Sequence, residues 1–139
     1  MGKNSNSRKT SKKTKNRRLY LIDSENVGAT FANELIKLGE KDRVIIFESD
    51  KSAKVKVLFS EAKKLVKWNK FKTVHIKNSA SNAMDFVLAT VLGSIITKNK
   101  YKEYIIVSND NGYNSIIEYW SSKGYKIYKQ GNIVNVESK

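Results

Sequence analysis

The chain has 139 residues, 40% of them hydrophobic, enough to bury one core and not two. It contains no cysteine and a single histidine, His75, which excludes disulfide frameworks, thiolate zinc sites and multi-histidine metal centres and leaves oxygen-ligated ions such as Mg2+ or Mn2+. The formal net charge is +14; residues 1–18 hold 8 of the 27 basic residues and no acid, and the rest still carries 19 basic against 13 acidic. A body that is basic on its own account favours a polyanionic partner, nucleic acid ahead of a merely solubilising surface.

Residues 1–17, rich in Ser, Asn, Lys and Thr and without an aromatic, cannot bury enough apolar area to order themselves and read as a flexible basic arm ahead of one domain, 18–139. Leu19 to Ile22 is a short apolar run that reads as a strand buried on both faces, and it ends abruptly in Asp23-Ser24-Glu25-Asn26. Ala29 to Leu38 has helical spacing and stops at Gly39. Arg43 to Phe47 is a second buried strand ending in Glu48, with Asp50 following, and Lys54 to Trp68 is an amphipathic helix with lysines on its outer face. Thr73 to Ile76 is a third strand. Polar residues from Ser79 then lead into a strongly apolar helix ending at Ile96, expected to be buried around most of its circumference. Glu103 to Val107 is a fourth strand, Asn114 to Lys123 a helix closed by Gly124, and Tyr125 to Tyr128 a fifth strand. Residues 133–136 add a short edge strand or none.

Strands alternating with helices over short connections imply an α/β protein, with a parallel sheet, helices on both faces and right-handed crossovers. No apolar run approaches the roughly 20 residues of a membrane span, and the N-terminus lacks the apolar core of a secretory signal, so a soluble, cytoplasmic protein with no membrane partner is expected. Self-association into a homo-oligomer is left open.

Ligands of open parallel sheets bind outside the carboxyl ends of the strands. Asp23 ends the first strand, Asp110 follows the fourth, and Asp85 sits in the first turn of the helix that opens on the same edge. Three carboxylates brought together repel one another unless a divalent cation neutralises them, and such an ion suits phosphodiester hydrolysis. Each acid has a plainer reading. Asp85 completes a capping box with Asn82, and Asp110 is good turn chemistry in Asn-Asp-Asn-Gly. Asp23 is harder to dismiss, because a carboxylate directly after a buried strand is costly without a partner. His75 reads as a partly buried packing residue rather than a base. Tyr113, Tyr119 and Trp120 read as core or helix-face residues, with stacking on a base the lesser reading for Tyr113. Asn78, Ser79 and Ser81 are explained as well by capping as by phosphate binding. Lys51, Lys54 and Lys77, at or near strand ends, are the expected phosphodiester-backbone contacts.

The stretch Leu21-Ile22-Asp23-Ser24-Glu25-Asn26, the helix start Asn82-Ala83-Met84-Asp85-Phe86 running to Leu92-Gly93, and Val107-Ser108-Asn109-Asp110-Asn111-Gly112-Tyr113 together resemble the PIN-like nuclease superfamily and, within it, the NYN-type branch. The resemblance covers roughly Arg18 to Tyr128. It implies a three-layer α/β/α fold with about five parallel strands in the order 3-2-1-4-5, and a divalent-metal-dependent endonuclease, usually acting on RNA. It implies metal-ligand roles for Asp23, Asp85 and Asp110. Asn26 would position a phosphate or a water held by the metal, and Ser108 would steady the Asp110 loop. For a fourth acid the candidates are Glu25, Glu48 and Glu61, with Glu48 the best placed. Ser108, Arg17 and Arg18 join the lysines as expected nucleic-acid contacts, with RNA the first partner and DNA the second. Two competing readings are a catalytically silent nucleic-acid-binding module on the same fold and a receiver-like or nucleotide-binding domain. The latter is disfavoured because Glu25-Asn26-Val27-Gly28 offers no glycine-rich phosphate loop.

Overall fold

Five runs of β-branched and aromatic residues form five strands, and every neighbouring pair is parallel. The computed structural model describes residues 17–27, 38–50, 71–77, 80 and 82–131. In chain order these form β1 (Arg18–Asp23), β2 (Arg43–Ser49), β3 (Phe71–Ile76), α1 (Ala83–Ile96), β4 (Glu103–Val107), a 3-10 turn (Asn111–Tyr113) running into α2 (Asn114–Ser122), and β5 (Ile127–Gln130). The sheet order is β3-β2-β1-β4-β5, the α/β arrangement expected from the sequence, with β1 at the centre. Asp23 is itself the last residue of β1, β3 begins at Phe71 rather than Thr73, and β5 lies two residues later than expected. The arm up to residue 16, the expected helices at 29–37 and 54–68, the edge strand at 133–136, and Lys51, Lys54, Glu61, Asn78, Ser79 and Ser81 lie outside the described residues.

Pleating assigns alternate residues of each strand to opposite faces. One face carries Leu19 and Leu21 of β1, Ile45 and Phe47 of β2, and Tyr104 and Ile106 of β4. Against it lies α1, whose Met84, Leu88, Leu92 and Ile96 repeat every fourth residue and are all buried. Burial of each such side chain contributes about 2 kcal/mol, so this stripe fixes the helix to the sheet. The rest of α1 is less buried than its composition suggests: Phe86, Thr90 and Ser94 form an exposed stripe, and Phe86 is 68% exposed. The opposite face carries Tyr20, Ile22, Val44, Ile46, Ile105 and Val107, equally buried.

The same alternation decides where the polar residues at the carboxyl ends fall. Asp23 continues the Leu19–Leu21 row, Ser49 the Ile45–Phe47 row and Ser108 the Tyr104–Ile106 row, so all three stand on the α1 face. Glu48 falls in the row of Val44 and Ile46, on the other face, beside its β3 partner His75.

Candidate metal centre

Asp23 is completely buried, and its carboxylate accepts four hydrogen bonds. The Glu25 backbone N–H donates to Oδ1 at 3.0 Å. Oδ2 receives the Asn26 side-chain amide at 2.9 Å, the Ser108 hydroxyl at 3.1 Å and the Tyr113 hydroxyl at 3.1 Å. Charge-assisted bonds of this number offset the desolvation of a buried carboxylate. Three of the four bonds fall on Oδ2 and one on Oδ1, so Oδ1 is the less engaged oxygen and the one with acceptor capacity for a further ligand.

Asp110 is carried by the loop after β4. Ser108 Oγ, while donating to Asp23, accepts the Asp110 backbone N–H at 3.0 Å, and the Asn109 N–H donates to the Asn26 carbonyl at 2.7 Å. The two acid-bearing loops are thereby tied to each other through Asn26 and Ser108. Asp110 Oδ1 accepts the Gly112 N–H at 2.8 Å, so the turn role read from Asn-Asp-Asn-Gly is real. It coexists with membership of the acid group. A side chain at Gly112 would crowd that group directly: a Cβ there would lie 3.2 Å from Asp110 Oδ1 and 3.4 Å from Asp85 Oδ2.

Asp85 stands in the first turn of α1. Asn82 is the N-cap but makes no side-chain capping bond, so the capping box read from Asn82 and Asp85 does not form. Burial pushes the Asp85 carboxyl above its usual range, the neighbouring Asp110 charge pushes it further, and a hydrogen bond from Tyr113 partly opposes both. Asp23 and Glu25 add smaller repulsions. Tyr113 is fully buried, and its hydroxyl is held far above its ordinary pKa, first by burial and then by the Asp23 and Asp85 charges. It therefore keeps its proton, which it donates to Asp23, with Asp85 close by.

One oxygen from each of Asp23, Asp85 and Asp110 lies within 4.8 Å of the other two. Oxygens on opposite sides of a magnesium ion are about 4.2 Å apart, twice a ~2.1 Å bond, so small side-chain adjustments bring this donor set onto a hard cation. Burial first and the Asp110 charge second raise the proton affinity of Asp85, and a cation among the three carboxylates would offset the second of these.

Several expected site residues fall elsewhere. Glu48, the favoured fourth acid, is on the opposite face and lies 3.8 Å from His75 Nδ1. The acid that does approach the trio is Glu25, which accepts a hydrogen bond from Ser49 and adds to the repulsion on Asp85. His75 is exposed rather than packed, with Nε2 3.4 Å from Asp50 Oδ1, because β3 is the edge strand. Ser108, expected also to touch nucleic acid, is fully buried, so its hydroxyl serves only Asp23 and Asp110. Asn26 likewise turns its amide to Asp23 rather than outward. Arg17 and Arg18 lie at the amino end of β1, about 16 Å of strand away from Asp23. There Arg18 pairs with the buried carboxylate of Asp42 at 3.2 Å. Lys77 is exposed just past β3. Sequence reasoning passed over Lys129, whose ammonium reaches Asn111 Oδ1 at 3.2 Å on the rim of the acid loop. It also placed Tyr113 in the core without its polar end; the aromatic position three residues after Asp110 was the available signal.

A parallel sheet of this order with carboxylates gathered at the carboxyl edge of its central strands defines an acid-lined α/β domain. The chain belongs to the PIN domain family, whose family model matches residues 17–130. PIN domains are in general nucleases that use divalent metals. No curated protein and no solved structure matches the chain with significance. Among the described residues, no helix is long and apolar enough to cross a membrane.

Proposed function

We propose that this PIN domain is a divalent-metal-dependent endoribonuclease acting on single-stranded or flexible RNA. The reading is carried by the convergence of Asp23, Asp85 and Asp110 within 4.8 Å of one another. These three carboxylates would hold the cation, Mg2+ or Mn2+. When bound, it supplies water activation and charge stabilisation for phosphodiester hydrolysis. Asn26, Ser108 and Tyr113 are positioning residues. They fix the Asp23 carboxylate by its Oδ2 and leave Oδ1 the oxygen with spare capacity. Tyr113 keeps its proton and acts as donor only. His75, on the far face, takes no part.

Two observations favour an unpaired polynucleotide. The chain carries a net charge of +14, which suits a polyanion. Phe86, the residue after Asp85 in α1, presents an aromatic ring 68% exposed, a platform on which an unstacked base would gain about 1–3 kcal/mol. The preference for RNA over DNA rests on the family resemblance.

The test is incubation of the purified full chain with labelled single-stranded RNA and DNA in Mg2+, Mn2+ or chelator. Cleavage of RNA that needs metal and disappears in Asp23→Asn and Asp110→Asn, with circular dichroism unchanged, is expected. Metal-dependent cleavage retained by both variants overturns it. RNA binding in chelator with no cleavage under any metal would instead establish a silent binding module.

A further inference from the structure

Among the described residues, basic side chains gather at the other end of the sheet. At the amino ends of β1 and β2, beneath the C-terminus of α1, lies a cavity of about 210 Å³ with an apolar floor of Leu19, Val44, Ile45 and Ile95. Its rim is Arg43, Lys72, Lys98, Lys100 and Tyr101, and among the described residues no acid lines it. The three lysines are exposed and so have their ammonium groups available to a ligand. Lys98 and Lys100 flank Asn99, whose left-handed backbone (φ 53°) turns the chain tightly after α1 and leaves both lysines on the cavity.

Four cations around an apolar slot are more than a helix end requires. The C-terminus of α1 contributes only about half a negative charge. The buried acid of this edge, Asp42, is already bound by Arg18 at 3.2 Å and by the Gly39 N–H at 3.0 Å. Arg43 spends one nitrogen on the Glu40 and Asp42 carbonyls. Burial first and then the Arg17 charge hold its guanidinium below the ordinary range despite the opposing pull of Tyr101 and Asp42. Residues 1–16, with six more basic residues and no acid, join the fold at this edge through Arg17. Like charges concentrated around a slot are stabilised by a bound anion, and an apolar floor beside a tyrosine adds an affinity for a planar base.

We infer that the cavity framed by Arg43, Lys72, Lys98, Lys100 and Tyr101 is a second nucleic-acid site. It takes one nucleotide of a single-stranded polynucleotide, base in the slot and flanking phosphates on the lysines, on the edge of the sheet opposite the acid trio. It holds a strand independently of metal and of cleavage, and it gives the arginine at position 17 and the basic arm a common partner. About 16 Å of sheet separates it from Asp23, so a strand engaging both sites must run along the domain.

The test is fluorescence anisotropy of the full chain with a labelled single-stranded oligonucleotide in chelator, where neither the acid site nor cleavage contributes. Wild type is compared with Lys98→Ala/Lys100→Ala and with Tyr101→Ala. The arm contributes equally to all three. The double variant, altered only at exposed lysines, should bind about tenfold more weakly and lower the slope of log K against log salt by about 1.4, or ~0.7 for each lost phosphate contact. Tyr101→Ala should weaken binding about tenfold with the salt slope unchanged, because it removes stacking and no charge. Asp85→Asn should bind at least as tightly as wild type, which separates this site from the proposed nuclease centre. Unchanged affinity and slope in the double variant would overturn the inference. So would equal affinity for a free mononucleotide, which would make the slot a metabolite pocket, or equal affinity for duplex, which cannot offer a base to it.

Discussion

Replacing Asp85 with asparagine should make the metal-free protein more stable while destroying its activity. The carboxylate lies within 4.8 Å of oxygens of both Asp23 and Asp110. At that separation two unit charges repel by about 0.9 kcal/mol in a water-like medium and about 3.5 kcal/mol at an effective dielectric of 20. Asp85 is only half-buried, so solvent screening places each repulsion near the lower figure, about 2 kcal/mol for the pair of neighbours. Against this, the favourable influence of the Tyr113 hydroxyl on the Asp85 charge is lost, about 1 kcal/mol. The net gain of about 1 kcal/mol corresponds to a rise of about 3–4 °C in Tm for a domain of this size. The assay is thermal unfolding by circular dichroism in chelator and in millimolar MgCl2. Wild type should gain stability with magnesium, by about 2.7 kcal/mol at a hundredfold excess over Kd, whereas the variant should gain much less. The pH dependence has a definite sign. Because the folded carboxyl titrates above its ordinary 3.8, the native state holds more protons than the unfolded chain between the two values. Wild-type stability in chelator should therefore fall as pH rises through that window, and this component should be absent from Asp85→Asn. A variant that melts below wild type in chelator, or that magnesium stabilises equally, would refute the picture of three carboxylates gathered for a cation.

Removing the Tyr113 hydroxyl, 3.1 Å from Asp23 Oδ2, in Tyr113→Phe should cost about 1–2 kcal/mol in chemical denaturation and lower kcat with little change in RNA affinity. Ser108→Ala unties Asp23 from the Asp110 N–H, and magnesium titration followed by Tm should show metal affinity reduced about 10–100-fold. Gly112→Ala places a methyl group 3.2 Å from Asp110 Oδ1 and 3.4 Å from Asp85 Oδ2, so cleavage should fall sharply in an otherwise folded protein. Glu48→Gln and Glu25→Gln form a pair: initial cleavage rates should be near wild type for the first, on the far face, and clearly reduced for the second, beside the trio.

Much of this architecture was legible in the residue order. Strands buried on both faces must be apolar along their length, and in β1 and β4 the apolar run breaks at the first polar group, Asp23 and Ser108. Asp23 after Ile22 and Asp110 shortly after Val107 therefore marked the carboxyl edge without ambiguity. Short polar connections between strands and helices fixed the parallel class, and the three motifs around Asp23, Asp85 and Asp110 pointed to the family that the match over residues 17–130 shows. The expected capping box failed because capping depends on where the Asn82 side chain turns, which composition does not specify.

The same property that made the strands easy to find hid their facing. A strand that is apolar on both sides has no alternation to reveal which residues look toward which helix layer, so Glu48 and Ser49 were indistinguishable in sequence. Pairing of Asp23 with Phe47 put Ser49 and Glu25 on the side of the trio and sent Glu48 to His75. Tyr113 read as core because a buried tyrosine and a buried tyrosine with its hydroxyl on the Asp23 carboxylate have the same sequence. Residue order alone therefore determined which carboxylates reach the carboxyl edge. Tertiary structure alone decided which of them meet and what holds them in place, because those outcomes depend on register and side-chain direction between segments far apart in the chain.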